Sequence, residues 1–332
     1  MKKLEAVLAG YFGFDNLGDE LLLLGTVSLF EQAGVSRSEL IAASASPQKT
    51  AETYGLRTVD RWKVLSLFKA LRGARRLVFA GGGIFQDRTS LRSVFYYAGL
   101  VALARLAGCR VWAIGQSVGP LEGGLARSLT RWALKRCSLL TVRDSESVEV
   151  CHQLGLACRL VPDLSLALTG LVSDEPSGGA MLLNVRPGHD DLAASAAAAA
   201  GQAAQQAGLP LIGVAMAPED KRALEQACLV ADVQLAEVVQ PSVDDPTGIF
   251  ARAKAAFGMR LHFGALALLT GRDYQAVSYD PKVAGFVRQW GGAVWSGGPA
   301  KCVPWKNRPA LAGAAETLRR VLQEALTKEA GR

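Results

Sequence analysis

Metal-binding and redox chemistry have little to work with in this sequence. It holds three histidines and six cysteines among 332 residues, with no Cys-X-X-Cys pair and no His/Cys/Asp cluster at ligand spacing. That excludes a zinc ribbon or a thioredoxin-type motif. The cysteines fall in helix-like or strand-like stretches and read as buried reduced thiols of a cytoplasmic protein. The acidic pair Asp244-Asp245 before Pro246 reads as a helix cap and not a magnesium site. Aromatic residues make up 7% of the chain with no stacking motif, and the basic residues read as dispersed, which excludes nucleic acid as the expected partner. A membrane span is missing as well. The longest uncharged stretch, Leu192 to Pro218, has 27 residues, but Gln202, Gln205, Gln206 and then Gly208-Leu-Pro210 interrupt it, so it reads as a helix followed by a strand. Met1-Lys-Lys does not open a signal peptide: Glu5 interrupts the apolar run, which ends at Gly10 without a small-residue cleavage site.

What the chain has is apolar substance: 50% hydrophobic residues, 35 glycines, 13 prolines and a net charge of +7. That fills a sizeable core and, at ~150 residues per domain, predicts two domains. The positive balance favours phosphorylated metabolites or an anionic membrane surface. Short apolar strands alternate with amphipathic helices, the mark of parallel sheets built from βαβ units. Strands are predicted near 5–9, 40–43, 77–80, 111–114 and 139–142, with helices near 18–33, 90–107, 124–136 and 145–154. Turn formers replace core residues over 169–179. Alternation then resumes with strands near 181–185, 211–214, 233–238, 255–259, 275–278 and 293–295. The expected fold class is α/β, with two Rossmann-like lobes facing across a cleft: residues 1–168, a linker 169–179, residues 180–308, and a final helical segment 309–332 placed to pack back on the first domain.

Ligands of open parallel sheets bind beyond the carboxyl ends of the strands, and five loops there carry candidates. Gly10 to Glu20 follows the first strand and opens a helix. Gly13 and Gly18 let amides approach an anion, and Asn16 and Asp19 add polar groups, although the spacing is neither G-x-G-x-x-G nor a Walker loop. A plain strand-to-helix turn with Asp19 in the first helical turn is the alternative. Gly81-Gly82-Gly83, leading to Gln86 and Asp87, allows either close ligand approach or strand–helix packing. The third loop is Ile114 to Pro120. In the fourth, Arg143 follows a strand and precedes a helix cap at Asp144 or Ser145; it calls for an anionic ligand, or else a salt bridge to Asp144, Glu146 or a neighbouring carboxylate. In the fifth, Arg260 and His262 stand where a strand meets an apolar helix, pairing a bidentate anion grip with an acid–base group. Of the other histidines, His152 falls within a helix, and His189 follows Arg186-Pro-Gly in a polar loop expected to border an acceptor.

At these loops the sequence resembles the polysaccharide pyruvyl transferase family, and more closely its bacterial branch that ketalises cell-wall polymers for S-layer attachment. The resemblance rests on Gly10 to Glu20, Gly81 to Asp87, Gly115 to Pro120, Arg143-Asp-Ser-Glu-Ser, Pro162-Asp163, Arg260-Leu-His262 and Tyr279-Asp-Pro-Lys282, in that order. It implies a glycosyltransferase-B-like fold, phosphoenolpyruvate as donor substrate with no resident cofactor or metal, and a sugar diol as acceptor, of the N-acetylmannosamine type in a lipid-linked precursor. By position, Arg143, Arg260 and the Leu261 backbone become donor-binding groups and His262 the general acid. Asp19 or Asp87 would accept a hydroxyl proton, Lys282 would neutralise the departing phosphate, and Gly13, Asn16, Gly18, Gly82, Gly83 and Arg186 would line the substrates.

A nucleotide-sugar glycosyltransferase or epimerase stays open as a rival, as does a non-catalytic sugar- or phosphate-binding protein. Peripheral membrane contact would follow from a polyprenyl-pyrophosphate-linked acceptor. The stretch Arg61 to Arg76, with Trp62, Leu65, Phe68 and Leu71 at helical spacing among basic residues, is the segment that fits such contact; a domain helix with a solvated basic face fits it too.

Overall fold

The computed structural model describes residues 4–88, 91–172 and 178–330. Ser90, at the start of an expected helix, and residues 173–177 of the expected linker lie outside the described residues. The chain divides into two compact units: one runs to Phe14, over Asp19–Leu168 and on from Gly313, and the other holds Thr169–Ala312 together with Asp15–Gly18.

In the first unit, strands β1 (Leu4–Ala9), β2 (Leu40–Ser44), β3 (Arg57–Asp60), β4 (Ala74–Phe85), β5 (Arg110–Val118), β6 (Leu139–Val142) and β7 (Arg159–Leu160) form a parallel sheet in the order β3-β2-β1-β4-β5-β6-β7. Helices α1 (Leu17–Gln32), α2 (Pro47–Tyr54), α3 (Val64–Arg72), α4 (Leu91–Leu106), α5 (Gly124–Leu134) and α6 (Ser145–Gln153) make the crossovers. Strand β1 explains the apolar run that marks it: Ala6, Val7 and Leu8 are all fully buried, as a central parallel strand covered on both faces requires.

The second unit repeats the plan. Strands β8 (Ala180–Asn184), β9 (Leu211–Val214), β10 (Glu237–Val239), β11 (Ala253–Gly258), β12 (Asp273–Ala276) and β13 (Ala293–Val294) run parallel in the order β10-β9-β8-β11-β12-β13. They alternate with α7 (Asp190–Ala207), α8 (Pro218–Val230), α9 (Gly248–Ala251), α10 (Leu261–Leu269) and α11 (Pro281–Gln289). The uncharged stretch becomes most of α7, all of β9 and the first residue of α8. Ala193, Ala196, Ala197, Ala200 and Ala204 recur on one face of α7 and are buried, so the alanines let that helix lie close on its sheet. Among the described residues no helix is long and apolar enough to cross a membrane. All six cysteines are free thiols, and burial pushes Cys137 and Cys151 up to about 12, the latter with help from Cys158.

Three expectations need correction. The Gly81–Gly83 and Gly115–Val118 segments are not loops: β4 and β5 continue through them, with Gly82 opposite Gln116 and Phe85 opposite Val118. The stretch Arg61–Arg76 is not one helix. Only Val64–Arg72 is helical, Leu71 is buried, and Arg76 already belongs to β4, where Glu5 and Glu329 pair with it. The cap beside Pro246 uses Asp245 alone, which accepts the Gly248 amide at 2.8 Å.

The last helix, α12 (Leu311–Ala330), ties its end into the first unit through Glu329. That carboxylate accepts Trp112 Nε1 at 2.9 Å and Ser138 Oγ at 3.0 Å, and it pairs with Arg76 at 3.0 Å and Arg110 at 3.1 Å. Burial would raise its pKa, but the bonds from Trp112, Arg110 and Arg76 outweigh this and leave it below the ordinary value of 4.5. Removing it leaves the buried Arg76 with Glu5 alone and takes the acceptor from Trp112 Nε1. Glu329→Ala should therefore lower stability by about 2 kcal/mol at pH 7, measured by urea unfolding. Because the folded-state pKa is depressed, the contribution is present above the unfolded value and lost as pH falls through the folded one. The gap between wild type and variant should then close below about pH 4.5; a gap that persists in acid would show that packing, not charge, anchors the helix.

Candidate functional site

In the second unit the order of strands reverses between β8 and β11, and the loops after these two strands are where an open α/β sheet presents ligands. The loop after β8 brings Arg186, and that after β11 brings Arg260 and His262. Arg260 is the N-cap residue of α10, which has no side-chain cap. Its amide donates to Asn184 Oδ1 at 2.9 Å, while Asn184 Nδ2 donates to Val214 O at 2.9 Å, so a buried asparagine links the ends of β8 and β9 to the start of α10. The Arg260 guanidinium is gripped along one edge: Nε donates to the two Asp220 oxygens at 2.9 and 3.2 Å, and Nη2 to Asp220 Oδ1 at 2.5 Å and Glu219 Oε1 at 3.0 Å. Burial would lower its pKa, but Asp220 and Glu219 hold it above the ordinary value. Nη1 has no hydrogen bond among the described residues. The leading amides of α10, Leu261 included, stand at an uncapped helix N-terminus, which favours an anion.

Arg186 Nη1 donates to Tyr279 Oη at 2.7 Å, its guanidinium lies 4.6 Å from the Tyr279 ring centroid, and the His189 ring centroid lies 4.9 Å from that of Tyr279. Arg186 Nε is buried without an acceptor among the described residues. Asp280 caps α11 by accepting the Lys282 amide at 2.9 Å, which places Lys282 in the first turn beside Tyr279.

Gly18, in the first turn of α1, explains itself in this unit. A β-carbon there would lie 2.4 Å from His262 Nδ1, so the imidazole occupies the space that any side chain would need. The Gly18 amide is bonded to Asn16 Oδ1 at 3.1 Å, and the Leu17 amide to Met216 O at 2.8 Å. The loop amide offered to an anion at Gly18 is thus bonded within the loop.

In the first unit the reversal lies between β1 and β4. The Gly13 amide there is bonded to Glu20 Oε1 at 2.8 Å, and Glu20 Oε2 accepts Tyr54 Oη at 2.5 Å. Asp19 Oδ1 lies 3.3 Å from where a Gly82 β-carbon would be; Gly82, at φ +82°, gives this carboxylate its room, and Gly83 is exposed. Arg143 is buried. Its Nε donates to Ser117 Oγ at 2.8 Å and its Nη1 to Asp163 Oδ2 at 2.5 Å. Burial would lower its pKa, but Asp163, Asp144 and Asp19 raise it above the ordinary value. Of the two openings for Arg143, the structure has the neighbouring carboxylate. Asp144 caps α6 through the Ser147 amide at 2.8 Å and accepts Ser117 Oγ. Asp87 accepts the Glu122 amide at 2.9 Å and the Gly123 amide at 2.7 Å. Desolvation pushes its pKa up, but these bonds outweigh it and leave Asp87 below its ordinary value, which accounts for Asp87 as a turn anchor.

Sequence reasoning missed Asn184, Asp220, Glu219 and Ser117. Pro218-Glu219-Asp220 carries the signal of a helix start, proline followed by first-turn acids, but nothing in it says that Asp220 is fully buried against Arg260. Gly18→Ala tests the geometry. Alanine favours a helix by about 1 kcal/mol over glycine, so the variant should melt no lower than wild type, yet the ring resonances of His262 should move while those of His152 and His189 do not. An unmoved His262 signal would break the contact.

A family model for polysaccharide pyruvyl transferases matches residues 16–280. A sequence search of curated proteins finds no match. Among solved structures, the UDP-GlcNAc 2-epimerase of Neisseria meningitidis bound to UDP-GlcNAc is similar at a TM-score of 0.55 and 8% identity, covering 97% of this chain and 100% of that one. HepE of Anabaena, in complex with UDP, gives 0.58 and 10% over 98% and 95%. The UDP-GlcNAc 2-epimerase of Methanocaldococcus jannaschii gives 0.58 and 11% over 95% and 92%. These likenesses place the two parallel-sheet units in a glycosyltransferase-B-like fold class. The match over most of the sequence, on a chain carrying the Arg260-Leu-His262 junction described above, shows that this protein belongs to the polysaccharide pyruvyl transferase family.

Proposed function

We propose that the protein transfers pyruvate from phosphoenolpyruvate to a sugar diol, of the N-acetylmannosamine type in a lipid-linked cell-wall precursor of the kind that anchors S-layers, forming a pyruvyl ketal and releasing phosphate. The observation that carries this reading is the start of α10, where His262 stands two residues from an arginine whose Nη1 makes no hydrogen bond among the described residues, in a chain of this family. Phosphoenolpyruvate brings a carboxylate and a phosphate. Arg260 Nη1, the Leu261 amide, Arg186 Nε and Lys282 are the donors assigned to them.

Protonated His262 delivers its proton to the methylene carbon of the donor, leaving an oxocarbenium-like centre at C2. One hydroxyl of the acceptor adds to C2 and gives up its proton, which returns His262 to its protonated form. The C2–O bond to phosphate then breaks with its electron pair going to phosphate, and the second hydroxyl closes the ketal. The new methyl group and the phosphate end with one of the two hydroxyl protons each, so the sum balances without an oxidant.

The likeness to UDP-bound and UDP-GlcNAc-bound proteins favours one second reading, a nucleotide-sugar enzyme, and ligand stabilisation separates the two. Phosphoenolpyruvate should raise the melting temperature and UDP-GlcNAc should not, and phosphate should appear only when a sugar acceptor is added. His262→Ala should cut turnover by about 10²–10⁴-fold while keeping the stabilisation by phosphoenolpyruvate. Stabilisation by UDP-GlcNAc alone would overturn the proposal, and unchanged turnover in the variant would remove His262 from it.

A further inference from the structure

Residues 61–121 carry ten Arg or Lys and a single carboxylate, Asp87, a net +9 in a chain whose total is +7. The net positive charge of the chain is therefore concentrated in this segment, where carboxylates are scarce. Those at the amino-terminal ends of β4 and β5 are balanced: Arg75 and Arg76 by Glu5, Arg76 and Arg110 by Glu329. Helix α3 precedes β4 and α4 follows it. α3 and α4 pack on one another and contain no Asp or Glu, while Lys69, Arg72 and Arg92 are exposed on them and Lys63 is exposed just before α3. Asp60 accepts the Trp62 amide at 2.9 Å and pairs with Lys63 at 3.8 Å.

Apolar side chains stand out from the same two helices. At the start of α3, Trp62 is 61% exposed, Val64 60% and Leu65 77%; at the start of α4, Leu91 is 39% exposed and Phe95 49%. Trp62 is fixed in place. The buried Arg61 guanidinium lies 5.1 Å from its ring centroid, 4.6 Å from that of Tyr96 and 5.1 Å from that of Phe14, and it donates to Gly10 O at 2.9 Å. Tyr96 Oη in turn donates to Arg61 O at 3.1 Å. One cation thus joins the β1–α1 loop, the start of α3 and α4 into a single plate, in which an aromatic ring is held at the surface without further ordering cost. Both helices begin beyond the carboxyl ends of strands, the edge of this sheet that also carries Asp19 and Gly82.

A fixed indole, protruding aliphatic tips and the exposed Lys69 and Arg72, on helices that contain no Asp or Glu, make up an interfacial surface for acidic lipid. A second copy of the chain would oppose the same positive face to itself, and a nucleic acid would leave Val64 and Leu65 with nothing apolar to meet. We infer that this face of the first unit docks on the surface of an anionic lipid bilayer, with Trp62, Leu65 and Phe95 entering the headgroup region and Lys63, Lys69, Arg72 and Arg92 facing acidic headgroups. Each such cation near the surface contributes roughly a five-fold gain in partition at low salt, which screening at high salt removes.

The test is co-sedimentation of the full chain with vesicles of phosphatidylcholine alone or with about one third phosphatidylglycerol, at ionic strength near ~0.1 M, where charges about 10 Å apart still interact. Binding to the acidic vesicles should exceed that to neutral ones at least roughly ten-fold, and Leu65→Asp combined with Phe95→Asp should abolish the difference. Lys69→Glu with Arg72→Glu, at exposed positions that the fold does not use, should weaken binding to a similar degree with an unchanged melting temperature. The fluorescence difference between wild type and Trp62→Phe should shift to the blue only with acidic vesicles. Equal binding by wild type and the charge variant, no binding by wild type, or a solution dimer that Leu65→Asp splits would each overturn the inference. The donor chemistry is tested apart: a vesicle binder inert to phosphoenolpyruvate removes the proposed function alone, and an active enzyme that ignores acidic vesicles removes the docking surface alone.

Discussion

A carboxylate that water does not reach sets the geometry of the second unit's site. Asp220 has no exposed surface, accepts the Met216 amide at 3.0 Å and grips Nε and Nη2 of Arg260. Stranding one member of such a buried pair costs about 3–5 kcal/mol, so neither can swing toward a ligand without leaving the other unpaired. Asn184 adds a neutral tie to the Arg260 backbone. The start of α10 is therefore pinned by both its backbone and its side chain, and His262 follows at a fixed distance along the helix. Arg260 is held at Nε and Nη2 by Asp220 and is not free to reorient.

The first unit uses the same device with other parts. Arg143 also follows a strand end, and a buried aspartate holds it too; Asp163 spends its second oxygen on capping the turn at Leu164–Ala167 through the Ser165 amide at 2.9 Å. Two motif arginines at ligand-facing strand ends are thus close to neutral as pairs. The net charge of the chain comes from elsewhere, the segment 61–121, whose excess over the total makes the rest of the molecule slightly acidic. Local hydrogen-bond direction and long-range potential are separate properties here, carried by different residues.

Strands buried on both faces were legible because burial demands an apolar run, as in β1 and β8. β3 and β7 were not: β3 buries only Val59, and the two residues of β7 are both exposed. The extensions of β4 and β5 were hidden because glycine has no strand signature, and only the pairing across to Gln116 and Val118 makes those segments strand. Arg143 and Arg260 stand out in the sequence because a charge near the end of a buried strand is conspicuous. Their partners do not. Asp220 reads as an ordinary first-turn acid, Glu20 as one more polar residue in a ligand loop although it is bonded to Tyr54 34 residues away, and Glu329 as a solvated residue of a terminal helix although Trp112 donates to it across 217 positions. Local propensity and spacing identify the donors of a site; the acceptors that hold them come from folding.

At 8–11% identity, the proteins of similar fold share the sheets and not the chemistry. What a glycosyltransferase-B-like frame guarantees is an edge where strands end and helices begin. In this chain that edge is specialised by subtraction as much as by addition. Gly18 stands in a helical turn, where alanine would be the better residue by about 1 kcal/mol, and its missing side chain is filled by an imidazole from 244 positions later in the sequence. Gly82 gives Asp19 its space in the other unit. Local helix preference at residue 18 thus yields to a contact with residue 262, and a position that costs stability where it stands gains its justification only at the site.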